Sequence, residues 1–279
     1  MSLHPSMYAD VIRRALDEDL AQAGDLTSDA CIPADAEATG HVVVRAPGVL
    51  AGLEVAGTVF ARVDGRITFE GRSLDGEEVE AMTTVAVVTG PARSILTGER
   101  TALNLLGRMS GVATATAELV RLVEGTGAAI MDTRKTMPGL RALDKYAVRT
   151  GGGRNHRFGL YDAVMIKDNH IAVAGSLTEA VLAARTRVGH TVKIEVEVES
   201  LDQLDELLAV GADLVLLDNM DLATLSKAVR RVDGQMVCEA SGGVTRHNVR
   251  AIAETGVDVI SVGWITHSAP QLDVTLDLA

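Results

Sequence analysis

The chain has 279 residues, with 26 Lys and Arg against 38 Asp and Glu, for a formal net charge of −12. An acidic chain of this kind lacks the basic face that nucleic acid or an anionic membrane surface requires, and 47% hydrophobic residues exclude a disordered protein. There is no apolar run of the ~18 residues needed to span a membrane and no signal-peptide pattern, and Cys31 and Cys238 form no disulfide framework, so a cytoplasmic location is expected.

Residues 8–20 carry Val11, Ile12, Ala15 and Leu16 at helical spacing and predict a helix. Residues 41–50 and 79–89 are rich in Val, Ala and Thr and predict strands, punctuated by Pro47-Gly48 and by Gly90-Pro91. Residues 99–124 predict a long helix that stops before Gly125-Thr126-Gly127, with Gly107 and Gly111 marking either a break or a close contact. After residue 127 short β-branched runs alternate with helical stretches. The runs lie near residues 129–131, 163–166, 192–198, 214–217, 236–238 and 257–262; helices are expected over 177–186, 201–210, 222–232 and 246–254. From the third run the repeat is about 21 to 22 residues, which implies parallel strands with right-handed crossovers and fits a (β/α) barrel better than a doubly wound sheet. No GxGxxG follows the first strand, which lowers a dinucleotide-binding reading.

Charge is unevenly distributed. Between Arg134 and Lys167 eight basic residues stand against two acids, Asp144 and Asp162, so this window is +6 within an acidic chain. Cations gathered in one short stretch point to a small anionic ligand.

Each predicted barrel strand ends in polar residues, and in a barrel those ends gather on one face, where the site forms. Arg134, Lys135, Arg157 and Lys167 suit carboxylates or phosphates. Glu195, Glu197 and Glu199 alternate along one strand and share a face. Periodicity alone leaves open which of them serves; with Asp218, a carboxylate here suits Mg²⁺ held through oxygen. Ser241-Gly242-Gly243 and the backbone near Gly263 offer N–H donors ahead of predicted helices, a phosphate cradle by geometry. Gly151-Gly152-Gly153 reads by itself as a loop, and His156 and His267 as structural histidines. Histidines and cysteines do not cluster at zinc-ligand spacing.

Several strings together resemble the quinolinate phosphoribosyltransferases. They include Glu99-Arg100-Thr101, Ser110-Gly111-Val112-Ala113-Thr114, Asp132-Thr133-Arg134-Lys135-Thr136, Lys145-Tyr146-Ala147-Val148, Asn155-His156-Arg157 and Lys167-Asp168-Asn169-His170. Glu195-Val196-Glu197-Val198, Leu217-Asp218-Asn219, Ser241-Gly242-Gly243 and Thr266-His267-Ser268 continue the series in order, from about residue 8 to the C-terminus.

The resemblance implies an α/β protein with an N-terminal open-faced α/β sandwich, residues 1–109 joined by the tail 270–279, and an incomplete (β/α) barrel over 110–269. It implies a homodimer, or a higher oligomer built from it, with shared active sites to which the partner supplies Arg100. Quinolinate is then held by Arg100, Arg134, His156, Arg157 and Lys167. Phosphoribosyl pyrophosphate (PRPP) faces Thr133, Lys135, Ser241, Gly242, Gly243, Gly263 and His267, and Glu197 and Asp218 hold Mg²⁺ and the ribose hydroxyls. The implied reaction gives nicotinate mononucleotide, pyrophosphate and CO₂. The alternatives are a same-fold enzyme acting on another acid such as nicotinate, whose single carboxylate leaves these cations in surplus, and a non-catalytic phosphosugar- or dicarboxylate-binding barrel, which has no need of Glu197 and Asp218.

Overall fold

A computed structural model describes residues 3–279. Among them the chain forms twelve strands: β1 (Glu37–Val44), β2 (Gly48–Val49), β3 (Thr68–Gly71), β4 (Glu78–Val79), β5 (Thr84–Pro91), β6 (Ala129–Met131), β7 (Val164–Ile166), β8 (Ile194–Val198), β9 (Leu214–Asp218), β10 (Val237–Ser241), β11 (Val259–Ser261) and β12 (Val274–Leu278). The chain divides into two compact units. One comprises the described residues up to Ala117 with Thr136–Gly152 and Ile265–Ala279; the other comprises Glu118–Lys135 and Gly153–Trp264.

The first unit holds an antiparallel sheet in the order β12-β1-β5-β3, with β12 of the tail paired to β1. Helix Leu53–Val63 packs on β3, where Phe60 stacks on Phe69 with ring centroids 5.9 Å apart. A carboxylate 22 residues further along caps this helix: Asp75 accepts the N–H groups of Gly52 and Leu53. A cap so distant leaves no local signature in the sequence, and residues 53–63 carried no helix expectation.

The two strands expected over 41–50 and 79–89 are each interrupted. Pro47 has no N–H to continue a ladder, and β1 ends at Val44. Met82 turns with φ +69, its N–H bonded to the Val44 carbonyl, and separates β4 from β5. The long helix runs continuously over Ala92–Leu122, starting seven residues before the expected position because the chain passes from Pro91 straight into it. Its glycines mark close contacts. A Cβ on Gly107 would lie 2.7 Å from the Leu272 carbonyl oxygen, and one on Gly111 2.0 Å from that of Pro270. Ser110 and Thr114 of the same helix bond the backbones of Ala51 and Val49. Within this unit Arg108 forms a two-pronged ion pair with Asp144, which is fully buried on helix Arg141–Thr150. Lys145 is buried beside it, and Gly151 is packed tightly, since a Cβ there would meet the Ala113 carbonyl at 2.3 Å.

The second unit holds a parallel six-stranded sheet in the order β6-β11-β10-β9-β8-β7. Pairing between β6 and β7 would close a barrel, and these are the two ends of the sheet, so the barrel is incomplete. Valines, leucines and isoleucines such as Val196, Val215, Leu217 and Ile260 fill the strands with 0% exposure. The helices lie where the 3.6-residue period placed them, Leu201–Val210 and Leu222–Val232 at the expected limits, each capped by a side-chain oxygen from Ser200 or Asp221. The helix expected over 246–254 shortens to Val249–Ala253, because Asn248 accepts the Thr245 N–H and donates to the Gly243 carbonyl, holding residues 243–248 in a turn. No described helix is long and apolar enough to cross a membrane.

Candidate active site

The strand ends of the second unit collect the predicted cations and acids. The segment after residue 153 runs beside the free edge of β6: Arg154 bridges Met131, and its N–H bonds the Ile130 carbonyl. Buried Asp132, just past β6, accepts the Asn155 side-chain amide at 2.6 Å and the His156 N–H at 2.8 Å. These bonds set a turn that presents Arg157.

The Arg157 guanidinium donates from Nη1 to the Ala163 carbonyl at 3.1 Å, while its Nε is buried without a hydrogen-bond partner. Burial, then the like charge of Arg134, disfavours its cationic form, with Glu195 and Asp162 acting in the opposite sense. A buried guanidinium nitrogen without a partner, disfavoured by a like charge, is what an anion would complete.

Lys167, at the end of β7, forms a close ion pair with Glu197 of β8. The Asp218 carboxyl at the end of β9 is pushed up by burial and by the Glu197 charge, and Lys167, Asn219 and Lys135 partly offset this. Glu197 and Asp218, on the neighbouring strands β8 and β9, are oxygen-only donors. That donor set fits a hard divalent cation such as Mg²⁺.

Of the three alternating glutamates, Glu195 is buried, Glu197 half-buried and Glu199 exposed beyond the strand. Glu195 and Glu239, from the alternate strands β8 and β10, enclose the imidazole of His156, whose Nε2 lies 3.1 Å from one and 3.4 Å from the other. The sequence does not reveal this cluster; its signals are Glu195 sharing a face with Glu197 and Glu239 standing among the polar residues that end its strand.

Burial raises Glu195, and the neighbouring Glu239 charge adds to this against the opposing His156. For the ring, burial opposes protonation, but the two carboxylates outweigh it and push His156 up to about 10. The Arg157 N–H, however, lies 2.7 Å from Nδ1 and requires a lone pair there. The contact is the stronger constraint, because an imidazolium would set two N–H groups against each other. The ring therefore carries its proton on Nε2, facing the carboxylates.

Gly242 and Gly243 follow β10 with φ +94 and +59, and a Cβ on Gly242 would lie 2.1 Å from the Asn219 side-chain oxygen. Only glycine fits that approach. The segment opens into the 243–248 turn, so the expected helix N-terminus does not directly follow it. Ser241 and Gly263 end β10 and follow β11, and Thr133 accepts the Lys135 N–H.

Arg100 and His267 belong to the other unit. The Arg100 side chain is exposed, 3.8 Å from Glu99, and His267 bonds Ser268. The +6 window is likewise divided, since Arg141, Lys145 and Arg149 stand on helix Arg141–Thr150 of the first unit.

The model of the family described as quinolinate phosphoribosyl transferase, N-terminal domain, matches residues 25–110, and that of its C-terminal domain matches residues 112–277. A nicotinate-nucleotide pyrophosphorylase [carboxylating] of Mycobacterium leprae is 48% identical over 96% of this chain and 96% of its own. A probable nicotinate-nucleotide pyrophosphorylase [carboxylating] of Bacillus subtilis is 44% identical over 91% of this chain and 88% of its own. The solved nicotinate-nucleotide pyrophosphorylase of Francisella tularensis superposes with a TM-score of 0.95 at 39% identity, covering 100% of this chain and 98% of that one. With both family domains matched in order over this geometry, the chain belongs to the quinolinate phosphoribosyltransferase family.

Proposed function

We infer that the chain transfers the phosphoribosyl group of PRPP to quinolinate with loss of CO₂, giving nicotinate mononucleotide and pyrophosphate. The observation that carries the reading is the Arg157 guanidinium, whose buried Nε has no hydrogen-bond partner, with Lys167 as a further cation at the end of β7 beside Glu197. In this reading Arg134, Arg157 and Lys167 hold the two ring carboxylates and fix the ring nitrogen against the anomeric carbon, while the ring nitrogens of His156, expected to join them, face Glu195, Glu239 and the Arg157 N–H.

Glu197 and Asp218 would hold Mg²⁺ and the ribose hydroxyls, where the ion would supply positive charge beside the pyrophosphate leaving group. Lys135, Thr133, Ser241, Gly242, Gly243 and Gly263 line the remaining strand ends and suit the phosphates. As the bond from ribose to pyrophosphate breaks, the bond from ring nitrogen to ribose forms. The resulting pyridinium stabilises the carbanion left by the departing CO₂, which then takes a proton from solvent. The chain's part is positioning and electrostatics, with no covalent nucleophile. The Lys167–Glu197 pair holds both side chains at the strand ends before substrate arrives, and substrate binding redistributes their partners.

A homodimer whose shared site takes Arg100 from the partner subunit goes with this reading; an exposed arginine lying 3.8 Å from Glu99 suits a role across subunits. Free Cys31 and Cys238 fit a cytoplasmic enzyme. Purified protein incubated with quinolinate, PRPP and Mg²⁺ should yield nicotinate mononucleotide and CO₂. Turnover on nicotinate with none on quinolinate would overturn the substrate. Mixed Arg100→Ala and Lys167→Ala subunits should recover part of the activity lost by each alone; no recovery after verified subunit exchange would remove Arg100 from a shared site.

A further inference from the structure

The strand face beneath the arginines holds two acids that the reaction does not use. Glu195 is 3% exposed and Glu239 1% exposed, and Oε1 of Glu195 and both carboxylate oxygens of Glu239 have no hydrogen-bond partner. Buried polar oxygens are ordinarily hydrogen-bonded, and burying them otherwise is costly. What the two acids enclose is one ring, that of His156, through its Nε2. The opposite nitrogen of that ring accepts the backbone N–H of Arg157, and Asp132 grips the same turn through the Asn155 amide and the His156 N–H.

We propose that Glu195 and Glu239 are positioning residues for Arg157: they fix the His156 ring from behind, and the ring fixes the turn from which the guanidinium reaches the acid substrate. The proposal rests on the reading of Arg157 as a substrate-holding cation. The sequence of contacts is continuous and carried by groups with little freedom. The carboxylates sit on packed strands, the imidazole is confined between them, and Nδ1 is bonded to the very peptide that carries Arg157. Asp132 supplies the second anchor from the end of β6. The three acids thus converge on the segment Asn155-His156-Arg157, just past the single bridge by which Arg154 meets Met131 at the edge of the incomplete barrel. A substrate-binding group displaced by about 1 Å loses roughly a hundredfold in rate, so a loop segment beyond a single bridge gains from such side-chain support.

The geometry makes a selective demand. Loosening the turn should disturb the pyridine acid, which Arg157 would hold, and spare PRPP, which the other strand ends would hold. Glu239→Ala should raise KM for quinolinate about 10- to 100-fold and leave KM for PRPP within about twofold. Glu239→Gln, equal in shape and still placing a side-chain oxygen beside Nε2, should recover most of the loss. Asp132→Asn keeps the acceptor for the His156 N–H but sets two amide groups against each other at Asn155; it should show the same selective rise and serves where Glu239→Ala does not fold.

Equal rises for both substrates, no rise in either, or a Gln variant no better than Ala would overturn the proposal. So would one equivalent of tightly bound metal that disappears in Glu239→Gln, since the acids would then be ligands. If the wild-type enzyme turns over nicotinate in place of quinolinate, the substrate reading fails, and the same KM comparison is made with nicotinate.

Discussion

Replacing Arg157 with alanine separates binding from stability in a way the structure makes quantitative. In the free protein the side chain contributes one bond to the Ala163 carbonyl, worth about 1 kcal/mol net. Against this stand a buried Nε without a partner and the opposing charge of Arg134, both relieved by truncation. These contributions have opposite signs, so the unliganded variant should melt within about 2 °C of the wild type. Binding should behave differently. Losing a charge-assisted contact in a partly desolvated site costs about 2–3 kcal/mol, a rise in Kd of roughly 30- to 150-fold. Ligand at 100 times Kd stabilises a protein by about 2.7 kcal/mol, and a hundredfold weaker complex gains only about 0.4 kcal/mol at the same concentration. At about 2 °C per kcal/mol for a chain of this size, the quinolinate-induced shift in Tm should fall from about 5 °C to under 1 °C. Calorimetric melting with and without quinolinate measures both quantities. An unchanged ligand-induced shift in Arg157→Ala would refute the reasoning.

Two further outcomes follow from groups outside the site. Asp144→Ala leaves Arg108, whose side chain is 13% exposed, without its buried partner; denaturant unfolding should report a loss of about 3–5 kcal/mol, whereas Arg108→Met with Asp144→Leu should recover most of it. For Asp213, burial alone would raise the carboxyl, but Lys193 and the Ile194 N–H outweigh it and hold the group below its ordinary value. Its contribution is therefore present above the unfolded-state value and lost as pH falls through the lower folded one. Asp213→Asn should lower the urea midpoint at pH 7 and converge with the wild type near pH 2; a constant difference at both pH values would contradict this.

Strand and helix periodicity and the ordered strings were local enough for the chain itself to determine the βα alternation and the family. Helices Leu201–Val210 and Leu222–Val232 were legible because their apolar period and their Ser200 and Asp221 caps lie within a few residues of each other. Tertiary structure decided the pairings. Asp75 caps a helix 22 residues away, Lys167 meets Glu197 across 30 residues, and Arg108 meets Asp144 across 36. No periodicity encodes such partners, because each depends on how separate elements pack.

The same reason divides the basic window: residues 136–152 fold with the first unit and the remainder with the second, although one net charge describes them all in sequence. It also explains the buried acids. In the sequence Glu195 was one of three equivalent glutamates. Only strand pairing placed it against His156 and Glu239 in the interior while leaving Glu197 at the strand end, since a strand's alternation fixes the face a side chain takes but not its depth along the barrel.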